Sequence, residues 1–482
     1  MKILAVTPEI FPLIKTGGLA DVAGALPGAL GELGGEVKTL VPGYPAVMKA
    51  TKSGNRIAQI DDLFGASANL VGARVKGLEL IIIDAPHLYQ REGGPYGDSA
   101  GNDWPDNWKR FGALGKVAAM IGAGLIKNYQ PEIIHAHDWQ AGLTPAYLAH
   151  GAPTKVKSVF TVHNMAFQGW FDHKVLATLG LPEKAFSVDG VEYYGGVGFL
   201  KAGLQYADWL TTVSPSYAGE IRLAEFGMGL EGLLNKRSGR LGGILNGIDI
   251  NIWDPAIDPA LARNYSSRSL KRRGENKRAV QQRFGLENSS GPLFAVVSRL
   301  TWQKGIDVFA AAIDDLVRLG GQLCVLGSGE KKFEQLLAAT AGRHKGKVGF
   351  EIGYDEELAH LIQGGADAIV VPSRFEPCGL TQLIGLRYGA VPVVARTGGL
   401  ADTVIDANSA AIEAGVATGI QFSPLSSLTL IEAIERTIKL FNKPKIWARM
   451  QRQGMKTDVS WQHSAKSYMR LYNRLLNEKN PV

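Results

Sequence analysis

The sequence predicts an α/β protein built from two doubly wound domains. Three observations carry that expectation: short β-branched runs recur along the chain, each is followed by a glycine- or proline-containing turn, and each turn opens a helical pattern. The 482 residues leave room for two large domains or three ordinary ones.

In the first half the strand-like runs include Ile3–Val6, Leu80–Ile83, Ile133–Ile134 and Val159–Val162. The second half is cleaner: strand Phe294–Val297, helix Val308–Leu319, strand Leu323–Leu326, helix Phe333–Ala338, strand Val348–Phe350, helix Glu356–Ile362, strand Ile369–Val371, helix Leu380–Leu386 and strand Val391–Val394. The Asn-Gly turn in Leu245-Asn246-Gly247-Ile248-Asp249 marks the joint, so the first domain is expected over 1–244 and the second over 245–455. After Ala410 the strand pattern fades. Residues 456–482 close the chain as an amphipathic helix with Tyr468, Met469, Tyr472, Leu475 and Leu476 on one stripe, expected to pack back on the first domain. Between Arg91 and Arg110, Gly93, Gly94, Pro95, Gly97 and Pro105 break any periodicity, and Trp104 and Trp108 favour an ordered loop over a sugar or base.

Composition excludes several classes. With 45% apolar and 20% charged residues the chain is ordinary globular protein, not a disordered one. Cys324 and Cys378 are too few and too far apart for a disulfide framework or a metal knuckle, which fits a reducing compartment. Pro8, Glu9 and Pro12 interrupt the apolar N-terminus before it resembles a signal peptide, and the apolar run Val117–Ile126 is too short to span a bilayer. The expected setting is cytoplasmic, with no membrane partner. The net charge of +7 does not identify nucleic acid, because the densest basic run, Lys271-Arg272-Arg273 with Lys277 and Arg278, lacks interleaved aromatics and reads as a solvated face. Glycine is the outlier: 59 positions, well above the usual ~7%, point to tight turns and close backbone approaches to a ligand.

Five segments carry chemistry. In Lys15-Thr16-Gly17-Gly18-Leu19-Ala20-Asp21-Val22, glycines at a helix N-terminus expose N–H groups beside a lysine, which suits a phosphate. The pattern is neither the nicotinamide nor the Walker fingerprint. Arg299 and Lys304 follow the strand Phe294–Val297, where open α/β sheets place ligands, and two cations there suit a pyrophosphate. Ser373 to Gln382 also follows a strand and opens a helix, with Glu376 placed to grip hydroxyl groups and Gly379 allowing close approach. His135-Ala136-His137-Asp138-Trp139 and Thr161-Val162-His163-Asn164 end apolar strands. No metal-binding spacing accompanies these histidines, so they read as polar groups lining a sugar cleft.

Lys15–Val22, His135–Trp139, Asn246–Asp249, Arg299–Gly305, Glu376–Gln382 and Thr397–Ala401 occur in an order that resembles the bacterial glycogen synthases and plant starch synthases across nearly the whole chain. The resemblance implies two facing Rossmann-like domains of the GT-B glycosyltransferase architecture with an active-site cleft between them. It implies retaining transfer of glucose from ADP-glucose, a substrate and not a cofactor, to the non-reducing end of an α-1,4-glucan such as glycogen, with no metal and no cofactor. By the same resemblance His163, Arg299, Lys304 and Glu376 are catalytic. Lys15, Gly17, Gly18, Asn246, Tyr354, Cys378, Gly379, Leu380 and Thr381 bind the donor, with Tyr354 on the adenine. Asp21, Tyr96, Asp138 and Asn164 line the sugar and acceptor pocket. The broader pattern of two glutamates eight positions apart would put the second at Ile384, which weakens a double displacement and leaves a same-face mechanism open. The competing expectations are a related enzyme using UDP-glucose or another acceptor, a phosphorylase, for which no cofactor lysine is evident, and a non-catalytic glycan-binding protein.

Overall fold

In the computed structural model, which describes residues 1–478, the chain forms two compact units. The first comprises Met1–Asn246 and residues 461–478; the second is Gly247–Ser460. The joints expected at 245 and 456 thus fall at 247 and 461.

The first unit is built on a nine-stranded sheet. Seven neighbouring strands run parallel, in the order Leu241–Gly243, Trp209–Thr212, Lys157–Val162, Ile133–His137, Lys2–Val6, Glu36–Pro42 and Leu78–Asp84. Ala68–Val75 and Asn55–Ile60 complete it as antiparallel strands. The parallel strands are buried on both faces, which is why Ile3, Leu4, Val6, Ile133 and Ile134 form continuous apolar runs, each fully buried aliphatic contributing about 1.5–3 kcal/mol. The closing helix, Trp461–Asn477, belongs to this unit: Tyr468, Tyr472 and Leu475 pack with Val22, Leu26 and Leu30 of the helix Gly18–Glu32.

The second unit is a six-stranded, all-parallel sheet ordered Val348–Ile352, Gln322–Gly327, Leu293–Val297, Ala368–Val371, Val391–Ala395 and Ile420–Phe422. The last strand was not expected beyond Ala410. Its three residues are too short to show periodicity, and pairing with Val391–Ala395 creates it.

Each unit's run of parallel strands contains one point where the strand order reverses direction along the sheet. In the first unit it lies between Lys2–Val6 and Ile133–His137, and in the second between Leu293–Val297 and Ala368–Val371. Loops leaving neighbouring strand ends diverge at such a point and leave a crevice for a ligand.

Two local expectations need correction. The segment Arg91–Arg110 is a loop only as far as Asp106, because the helix Asn107–Gly122 begins there and buries Arg110 completely. The basic run is not wholly a solvated face. Arg273 is buried and donates to the carbonyls of Gln363 and Ala366, and Lys277 pairs with Asp367 at 2.7 Å, so part of it ties the helix Arg273–Arg283 to its neighbours.

Candidate active site

At the first unit's reversal point, the loop after Lys2–Val6 carries Lys15, Thr16 and Gly17 into the helix Gly18–Glu32. Gly17 caps that helix without any side-chain hydrogen bond, which leaves first-turn N–H groups for a ligand. A Cβ built on Gly17 would meet no protein atom within 4 Å. Lys15 Nζ lies 2.8 Å from Asp21 Oδ1 and 5.3 Å from the Phe11 ring centroid. The pair is about a third exposed, so Asp21 aims the ammonium while water still reaches it.

Glu9 organises this loop, and the sequence reading passed over it. Its buried carboxylate accepts from Thr16 N–H at 2.5 Å, from Thr16 Oγ1 and from the Tyr96 hydroxyl at 2.6 Å. Tyr96 is thereby joined to the Lys15 loop, and burial next to Glu9 pushes its phenol well above the usual range. The available signal was weak: one acidic residue inside an apolar N-terminal stretch.

The neighbouring strand end supplies Asp138, whose φ of 58° and ψ of 179° cost a non-glycine residue on the order of 1–3 kcal/mol. That backbone turns its carboxylate to accept from the His163 N–H at 2.7 Å. Burial pushes the Asp138 carboxyl up to about 7, against the pull of the His163 and Asn164 backbone donors. His163 Nε2 lies 3.0 Å from His137 Nδ1. Burial holds His137 down to about 3, and burial together with the neighbouring imidazole holds His163 well below its ordinary value. Both rings are therefore neutral at pH 7.

His135 does not line a cleft as expected. It is 1% exposed, with Nε2 at 2.6 Å from Thr161 Oγ1 and Nδ1 at 2.8 Å from the Tyr472 hydroxyl, so the closing helix satisfies it inside the core. His137 is likewise 2% exposed. Among the described residues no group of three or more His, Cys, Asp or Glu is arranged to hold a metal ion.

At the second unit's reversal point, Arg299 is exposed and has no side-chain partner among the described residues. Lys304 Nζ sits 2.5 Å from Glu376 Oε2, and the same oxygen accepts from Ser373 Oγ at 2.8 Å. Glu376 is buried and Lys304 nearly so. The loop Glu376–Leu380 is braced by the glycines of Thr397–Ala401: Gly399 N–H donates to the Glu376 carbonyl at 3.0 Å. A Cβ on Gly398 would come within 2.0 Å of that carbonyl oxygen, and one on Gly399 within 2.3 Å of the Cys378 oxygen. Gly379 has φ +72°, and Leu380 caps the helix Thr381–Tyr388. Cys378 is buried in this turn.

The structure therefore gathers Lys15, Gly17, Gly18, Asp21 and Tyr96 around one loop, and Asp138, His163 and Asn164 at the adjoining strand end. It gathers Arg299, Lys304, Glu376, Cys378, Gly379, Leu380 and Thr381 at the other reversal point. Tyr354 stands apart on an exposed turn after Val348–Ile352, its hydroxyl 3.3 Å from Glu356. Asn246 ends the first segment of the first unit, with a buried Oδ1 that has no hydrogen-bond partner among the described residues. Ile384 is buried in an apolar cluster with Leu383, Leu386 and Tyr388.

Residues 2–236 match the family described as starch synthase catalytic domain, and residues 277–454 match glycosyl transferases group 1. A glycogen synthase of Mesorhizobium japonicum is 56% identical over 479 residues, covering 99% of this chain and 100% of the relative. One from Novosphingobium aromaticivorans is 55% identical over 481 residues, covering 99% of each. The catalytic domain of starch synthase IV from Arabidopsis thaliana, solved bound to ADP and acarbose, superposes with a TM-score of 0.87 at 32% identity, covering 99% of each chain. Sucrose-phosphate synthase from Thermosynechococcus elongatus shares the fold, with a TM-score of 0.60 at 18% identity over 98% of each chain.

Proposed function

The chain belongs to the glycogen synthase and starch synthase family of retaining glucosyltransferases, with the GT-B fold, and on that premise we propose the chemistry its own residues carry. It transfers glucose from ADP-glucose to the non-reducing end of an α-1,4-glucan, lengthening glycogen and releasing ADP. The observation that carries this reading is the placement at one sheet-reversal point of Arg299 and of Lys304 paired with the Glu376 carboxylate.

Breaking the glucosyl–phosphate bond develops negative charge on the departing phosphate and positive charge on the sugar. Arg299 and Lys304 hold the departing phosphate more tightly as that charge grows, and Lys15, beside its helix N-terminus, is a further phosphate-binding cation. Glu376, fixed by Ser373 and Lys304, accepts hydrogen bonds from glucose hydroxyls, while the Cys378–Thr381 turn presents backbone N–H groups. Tyr354 packs on the adenine. On the acceptor side, Asp138 and Asn164 bind sugar hydroxyls, and a neutral His163 sits near the developing cation without repelling it. Since Ile384 lies in an apolar cluster, we favour a same-face displacement: the departing phosphate oxygen takes the proton of the acceptor hydroxyl as that oxygen bonds to C1. The scheme calls on no cofactor or metal.

Among the described residues no helix is long and apolar enough to cross a membrane, and both cysteines are buried thiols outside any disulfide. A cytoplasmic site for the reaction accords with those thiols. Incubation with ADP-glucose and glycogen is expected to release ADP and lengthen glucan chains, with UDP-glucose a poorer donor. No ADP release from folded protein would sink the assignment, and equal rates with both donors would remove the adenine readout.

A further inference from the structure

A cavity of about 280 Å³ in the first unit lies outside every residue assigned to the donor or the acceptor. Ile14, Tyr44, Tyr89, Arg91, Gly93 and Arg110 are among its walls, and the exposed Glu92 also borders it. Two of these side chains bring unsatisfied polar atoms. Arg110 is fully buried; its Nε donates to the Leu88 carbonyl at 2.9 Å and its Nη1 to Pro95 O and Asn107 Oδ1, but Nη2 has no partner among the described residues. Tyr44 is 3% exposed and its hydroxyl has none either. A guanidinium stays charged, and a buried charge without a counter-charge is costly. Arg110 forms no ion pair among the described residues, because the nearby Asp106 is engaged by both terminal nitrogens of Arg91 at 2.8 and 2.9 Å.

We propose that this cavity is a binding site for a small oxyanion, the phosphate or carboxylate group of a metabolite, held by Arg110 Nη2 and the Tyr44 hydroxyl. The oxyanion supplies the missing acceptor to the first and accepts from the second. The ordinary reason to bury arginine here, packing among Tyr44, Tyr89 and Phe111, accounts for its stem and ring-facing plane but leaves Nη2 unexplained. The site also backs on the catalytic loop. Arg110 holds Asn107, Asn107 Nδ2 donates to the Tyr96 carbonyl at 2.8 Å, Tyr96 donates to Glu9, and Glu9 holds Thr16.

The test is calorimetric titration of the full chain, saturated with ADP to occupy the donor site, with inorganic phosphate and separately with acetate. Saturable binding of one is expected, and which one binds tells a phosphoryl ligand from a carboxylate. Tyr44→Phe, which deletes one hydroxyl from an aromatic wall, should weaken it about tenfold while ADP affinity and turnover stay at wild-type values. No saturable binding of either anion, equal affinity in Tyr44→Phe, or loss of the signal in Lys15→Gln instead would overturn the proposal.

Discussion

The Lys15–Gly18 loop and the Glu376–Leu380 loop each leave a strand at the reversal point of their sheet, yet the protein holds them differently. Around Glu376 the chain fills its own space: Cβ atoms on Gly305, Gly398 and Gly399 would each come within 2.3 Å of a backbone oxygen. Around Gly17 a Cβ would meet nothing. Glycine in the second loop is thus demanded by the fold, whereas at Gly17 the fold makes no such demand and a ligand is the better reason. The same contrast holds for the charges, since Lys304–Glu376 is largely buried and Lys15–Asp21 is about a third exposed.

The sharpest test separates activity from stability. Glu376→Ala and Lys15→Gln should both lower turnover by orders of magnitude. Only the first should also unfold more easily, by about 3 kcal/mol, because it strands Lys304 in a mostly buried position. The Lys15 pair is worth ~0–1 kcal/mol to the fold. Steady-state ADP release with thermal unfolding of the same samples measures both, and equal losses of stability would erase the distinction. Gly399→Ala and Gly17→Ala extend it. The first should cost about 1–3 kcal/mol through its clash with Cys378. Gly17 has φ −162°, which any residue adopts, so Gly17→Ala should leave stability unchanged or raise it by ~0.4–1 kcal/mol while turnover falls.

A third test uses pH. His135, His137 and His163 are held neutral below their ordinary value of 6.5, so they contribute stability that is present above about 6.5 and lost as the pH falls, for His137 through about 3. Asp138 has the opposite sign: its raised value contributes stability present below about 3.8 and lost as the pH rises through about 7. Between pH 6 and 4 the unfolded chain therefore holds more protons on these histidines than the native state does, while the native state alone keeps one on Asp138. The two effects oppose each other, each net proton being worth ~1.4 kcal/mol per pH unit. Asp138→Asn removes the compensating proton, so denaturant titrations should show a steeper loss on acidification, by about one proton. A slope no steeper than wild type would show that Asp138 is not protonated in the native state.

Much of this was legible in the sequence because parallel strands bury both faces and read as apolar runs, and because ligand loops follow their carboxyl ends. Lys304 and Glu376 stand 72 positions apart, yet both could be placed from the strands preceding them. What stayed hidden depended on long-range partners. Glu9 matters through Thr16 and Tyr96, and His135 is a core residue only because Tyr472 comes from the closing helix. Arg110 looked like the end of a loop, and only the fold shows that Leu88 and Pro95 enclose it. A side chain's type and its place after a strand are local facts, whereas its satisfaction is not.

The smallest expected effect tests whether open space marks the ligand side in the second unit too. Tyr354 is 64% exposed, and its hydroxyl lies 3.3 Å from Glu356, two positions along. Such a ring adds little to the fold, so Tyr354→Ala should leave thermal unfolding within experimental scatter. If it covers the adenine, losing an aromatic face worth ~0.5–1.5 kcal/mol should raise the KM for ADP-glucose about two- to tenfold, with kcat unchanged because the base is remote from the bond that breaks. The ratio of ADP-glucose to UDP-glucose efficiency should fall with it. A variant that loses kcat instead would place Tyr354 nearer the chemistry, and one that loses nothing would leave adenine recognition to another part of the second unit.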